Sequence, residues 1–150
     1  MLIPRIDQAL EHCEEHLATG VTGDVQVLLT HSLLVLMCAE FEKTIQRLVE
    51  DRCASIADEA VERFAVSCFE NVFRSLRIAE LSGLLGRFGE PHKTRFTDAL
   101  DEKTKNMYDS ILSQRNAVAH GGDVNATLGD VKVYYAEAHK VLDCFKDALT

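Results

Sequence analysis

The 150-residue sequence has no tryptophan and only two prolines, and no stretch alternates apolar and polar residues for long enough to read as a sheet strand. That leaves helices to build the fold. The five cysteines (Cys13, Cys38, Cys53, Cys68 and Cys144) are scattered and form no C-x-x-C pair. A disulfide framework or cysteine zinc site is therefore not indicated, and reduced thiols in a cytoplasmic protein are expected. A glycine-rich phosphate loop, a nucleophilic Ser or Cys elbow and a metal-ligand cluster of good spacing are all missing, so no cofactor or metal is expected. The first residues are acidic and amphipathic, unlike a secretory leader. The apolar run Val25–Ala39 is interrupted by Gln26, Thr30, His31 and Ser32. It is shorter than a membrane span and reads as a core helix buried on two sides. Positive charge is also scarce, with 16 Lys and Arg against 24 Asp and Glu, for a net charge of −8. Broad affinity for nucleic acid is not expected of such a surface.

The charge is unevenly spread. Residues 1–60 carry four basic and eleven acidic side chains, whereas the remaining ninety carry twelve and thirteen. Arg87, Lys93, Arg95, Lys103, Lys105 and Arg115 fall in one stretch and are candidates to line a local basic cleft on an acidic body.

Length and pattern indicate one domain, residues 1–150. A first helix is expected from Pro4 to Leu17 and a second from Thr22 or Asp24 to Ala54. A third is expected from Ser55 or Asp58 to Phe73, with Val61 and Phe64 on its apolar side. A short helix, Ile78–Phe88, is expected to stop at Gly89 and Pro91, with residues 90–97 as a loop. Another helix follows from Asp98 or Asp101 to His120. The last starts at a cap in Thr127-Leu128-Gly129-Asp130 and carries Val131, Tyr135, Ala138, Leu142, Phe145 and Leu149 on one face. The class is all-α, an up-and-down four-helix bundle with an extra short helix before the helix that ends at His120.

The chemistry lies at that helix end, Arg115-Asn116-Ala117-Val118-Ala119-His120-Gly121-Gly122. Asn116 and His120 are neighbours at i,i+4, and Arg115 flanks them. Arg offers a rigid donor fork for phosphate oxygens, and His exchanges a proton near neutral pH. The negative end of the helix dipole favours the protonated ring, which suits His120 to the acid role. The plain alternative is a local Arg115–Asn116 pair with His120 as a surface residue near the helix end.

This string resembles the R-x4-6-H signature of the HEPN superfamily. With Arg77–Leu81 and Leu84–Gly89 before it, it is similar to the RiboL-PSP-HEPN branch. The resemblance is close from Leu76 onward and rests on a pair of helices before that. It implies a metal-independent RNA endonuclease that acts by 2′-hydroxyl attack, with Arg115, Asn116 and His120 as catalytic residues. It also implies a homodimer whose two motifs share a cleft, and a toxin–antitoxin or anti-phage setting with an antitoxin or defence partner. Glu40 and Lys43 on the second helix, with Arg87, Lys93 and Arg95, are candidates to bind RNA. An inactive module that binds RNA or a partner protein is the alternative, and a helical scaffold is the third reading.

Three other features read as structural. His12 and His16 share a helix face but have no third ligand nearby, so a polar stripe is expected. His92 is a loop residue by default, and Tyr135 falls on a core position.

Overall fold

The computed structural model describes residues 2–20, 23–69, 72–73, 76–122 and 124–150. The described residues form α1 (Pro4–Ala18), α2 (Gly23–Ala54), α3 (Glu59–Ser67), α4 (Ile78–Gly86), α5 (Glu90–Ala99), α6 (Glu102–Ala119) and α7 (Leu128–Leu149), with no strand among them. The fold is all-helical, as the sequence indicates.

The spine is α2, whose 32 residues span about 48 Å at 1.5 Å per residue. By length and composition it could cross a membrane. Here Leu33, Leu34, Met37, Cys38, Phe41 and Ile45 are buried in the bundle core. Phe41 lies between two rings, stacked on Tyr108 of α6 at 5.5 Å and on Tyr135 of α7 at 6.4 Å. The N-terminal end is tied in by the Ile3 N–H, which donates to the Tyr135 hydroxyl at 2.9 Å.

Both helices that border the Arg115–His120 string start at strong caps. The Asp101 carboxylate accepts the Thr104 N–H at 2.7 Å. Thr127 and Asp130 form a reciprocal capping box at the start of α7. The hydrogen bonds from Thr104 and Thr127 hold the Asp101 and Asp130 carboxyls below their ordinary range.

Three expectations change. Residues 90–97 are not a loop, because they belong to α5. Pro91 sits in the first turn, where its missing N–H has no intrahelical partner to lose, so it begins a helix. Gly89, at φ 134, makes the corner before it, and buried Phe96 anchors α5 edge-on against Phe145. The third helix ends at Ser67, short of Phe73, and buries none of its residues. Phe64, expected on an inward side, is 69% exposed. Finally, the first half of α2 is covered on one side only. Val25, Val27, Leu28 and Val35 are exposed, Leu28 by 65%. The apolar content of this segment exceeds what its own chain covers.

Candidate active site

The end of α6 presents the string. His120 is the C-cap residue, and its N–H reaches the Asn116 and Ala117 carbonyls at 3.1 and 3.3 Å. Gly121 takes φ 66, the Gly122 N–H returns to the Ala117 carbonyl at 2.9 Å, and the Gly121 N–H returns to Val118 at 3.3 Å. These two bonds close a Schellman motif. Gly121 therefore has a backbone reason: a left-handed residue is needed directly after His120. The turn leaves His120 exposed at the rim while Arg115 and Asn116 are half-buried on the last turns of the helix.

Gly121→Ala is expected to cost about 1–2 kcal/mol, the penalty of a Cβ in the left-handed region. Space does not contribute to this cost, because nothing lies within 4 Å of the built Cβ. A thermal melt showing no loss of stability would contradict that reading.

Arg115 Nη1 donates to Asn116 Oδ1 at 3.1 Å, so the cation and the amide act as a unit. Beneath them, the thiol of Cys38 on α2 faces the Ile111 carbonyl of α6 at 4.0 Å. Burial pushes this thiol up to about 12, Arg115 pulls the other way, and Glu42 adds to the rise. Cys38 is thus an inert packing residue, and the acid of α2 on the side of α6 is Glu42.

Glu40 lies elsewhere. It is about 200° around α2 from Glu42, and it is buried against α1 with Arg5 Nη1 at 2.6 Å. Lys43 is exposed and lines the same groove with Arg5, Glu40 and Arg47. Arg87, Lys93 and Arg95 gather at the other end of the bundle. Arg95 donates to the Asp147 carbonyl near the end of α7 at 3.3 Å, and Lys93 pairs with Glu90 at 2.9 Å. Arg87 lines a cavity of about 540 Å³ with Arg52, Phe64, Phe69 and Phe88. The nineteen steps of α7 from Leu128 to Asp147 rise about 28 Å. These cations are therefore separated from the His120 end by nearly the length of the bundle.

The remaining candidates take structural places. His92 Nδ1 is 2.6 Å from the Ala148 carbonyl, a contact that requires the ring to donate and ties α5 to α7. Tyr135 is core, and His12 and His16 are exposed. Among the described residues no group of three or more His, Cys, Asp or Glu is placed to hold a metal ion.

Pattern reading passed over His31. It lines a cavity of about 330 Å³ with Gln26, Val27 and Thr30 of α2 and with Val124–Thr127, the segment that leaves the α6 turn. The available signal was a lone imidazole inside an apolar helix, seven positions before Cys38.

The RiboL-PSP-HEPN family profile matches residues 3–150. The chain belongs to the RiboL-PSP-HEPN family. The match takes in the first half, where pattern alone offered only paired helices. HEPN membership points to a nuclease or RNA-related function. No curated protein and no solved structure matches the chain.

Proposed function

We propose that this HEPN protein is a metal-independent RNA endonuclease. The observation that carries the reading is the end of α6, where a half-buried Arg115–Asn116 unit stands beside an exposed His120 fixed by a Schellman turn. RNA carries its own nucleophile. Loss of the 2′-hydroxyl proton lets that oxygen attack the adjacent phosphorus, and the P–O5′ bond breaks as the leaving oxygen takes a proton. Arg115 neutralises charge growing on the non-bridging oxygens. Asn116 orients the guanidinium, and His120 gives the proton to O5′. The products are a 2′,3′-cyclic phosphate and a 5′-hydroxyl.

The working form is a homodimer, with the uncovered side of α2 as its contact. Leu28 and Val35 lie on one helix stripe through Ser32, and an exposed apolar stripe in a soluble chain favours a partner surface. A two-fold contact there sets the two α6 ends on one cleft. We place the protein in a toxin–antitoxin or anti-phage defence setting, restrained by a partner protein, on the strength of the family resemblance. One observation favours the inactive, RNA- or partner-binding alternative: the guanidinium already bonds to its neighbour's amide.

Incubation of metal-free protein with mixed RNAs decides between them. The expected products end in 2′,3′-cyclic phosphate, and sedimentation is expected to give a dimer that Leu28→Asp converts to monomer. RNA that is bound but left whole would establish the inactive module instead. Cleavage by a monomer would remove the dimer from the account.

A further inference from the structure

Transphosphorylation needs a group to take the 2′-hydroxyl proton as well as one to supply the leaving oxygen, and His120 fills only one role at a time. We propose that His31 is the second proton-transfer residue, in the same chain as the His120 it works with. The proposal rests on the nuclease reading above and names the base of that site.

Placement comes from the register of α2 against α6. Phe41 stacks on Tyr108, and Cys38 faces Ile111. Three residues back along α2 correspond to three residues forward along α6, so the helices run antiparallel. Continuing seven residues from Cys38 brings His31 level with Val118, between Arg115 and His120. Seven residues on a helix also return to within about 20° of the same meridian. His31 therefore lies on the stripe of α2 that already meets α6 at Cys38. The ring is half-buried and lines the cavity bounded by Val124–Thr127, the segment that follows the turn after His120. That cavity holds about 330 Å³, space for a nucleotide sugar and phosphate, between α2 and the segment that follows the α6 turn.

Charged and titratable groups approach it from four helices. Arg115 and His120 stand on α6, Cys38 and Asp24 lie two turns away on α2, Asp130 caps α7 next to Thr127, and the Glu14–Lys132 pair joins α1 to α7 at about the same level. Residues 124–127 bring no titratable group. In the step itself, His31 takes the proton from O2′, the O2′–P bond forms, the P–O5′ bond breaks, and His120 gives its proton to O5′. Each imidazole changes by one proton and no water is consumed.

The uncovered stripe of α2 borders this site, because Leu28 and Val35 are about 60° and 40° around the helix from His31. A dimer formed through that stripe walls the cleft without having to supply the imidazole.

The test uses the full chain and an oligoribonucleotide with one cleavable linkage. His31→Ala and His31→Gln are expected to lower kcat by about 10²–10⁴-fold, leave KM within a few-fold and remove one limb of the pH–rate profile. The Gln variant keeps a polar side chain of similar reach, and thermal melts confirm that both variants fold. A substrate with sulfur in place of the 5′-bridging oxygen needs no acid. It is expected to restore His120→Ala and not His31→Ala, and the opposite pattern overturns the base assignment.

Mixing His31→Ala chains with His120→Ala chains is expected to restore nothing. Recovery of about a quarter of the activity would mean that the pair forms across the interface. Wild-type rates with an unchanged pH profile in both His31 variants would overturn this proposal and leave the nuclease reading standing. Wild-type protein that cleaves no RNA would remove the nuclease reading itself.

Discussion

His120→Ala is expected to lower the proposed RNA cleavage by about 10²–10⁴-fold in kcat, the range for removal of a positioned acid. The melting temperature is expected to stay where it was, because the side chain is exposed at a helix end and its backbone, not its ring, makes the turn. Arg115→Lys is also expected to lose most of the activity, about 10²–10³-fold. An ammonium is a point charge and cannot present two parallel donors to a phosphorane. The substituted Lys also cannot reproduce the guanidinium contact to Asn116. EDTA is expected to leave the wild-type rate unchanged, because the proposed step moves its protons through side chains. Initial rates on a single-site oligoribonucleotide check all three outcomes. Activity that survives both substitutions would place the chemistry elsewhere, and activity lost to EDTA would mean that a metal ion takes part.

Phe41→Ala is expected to cost about 3–5 kcal/mol, the usual loss for deleting a buried aromatic ring. Phe41 is 1% exposed and stacks on Tyr108 and Tyr135. One ring thus joins α2, α6 and α7, and its removal opens a void that three long helices cannot close together. Against a total stability of about 5–15 kcal/mol, the loss takes a large share. Urea denaturation is expected to show a lower midpoint with an unchanged slope. Phe41→Leu, which refills part of the volume, loses less. A midpoint within error of wild type would mean that the stack is not the centre of the core. Activity is expected to fall only in proportion to the unfolded fraction, which separates this effect from that of His120→Ala.

Local chemistry made much of this protein legible in its sequence. The helical class follows from the lack of strand alternation, and helix starts follow from side chains that cap their own backbone, as at Asp58, Asp101 and Thr127. The R-x4-H string and its glycines carried the family, and the matched range of 3–150 agrees with that branch. The sequence also located the end of α6, because a left-handed residue after His120 needs glycine.

Tertiary packing decided the rest. Pro91 carries the same local signal whether it stops one helix or starts the next, and the burial of Phe96 against Phe145 selected the start. Apolar residues on α2 and α3 reveal an affinity for cover but not whether their own chain provides it, and Leu28 and Phe64 are left uncovered. Glu40 and Glu42 differ by two positions in sequence and by about 200° on the helix, so the neighbours of α2 determined which acid shares the Cys38 side with Arg115. Arg87, Lys93 and Arg95 precede the motif in sequence, yet antiparallel helices carry them to the opposite end of the bundle. His31 is 84 positions from Arg115 in the chain. Only the register of α2 against α6, carried on from Phe41–Tyr108 and Cys38–Ile111, puts it within a turn of Arg115, and that register is set by contacts between residues far apart in sequence.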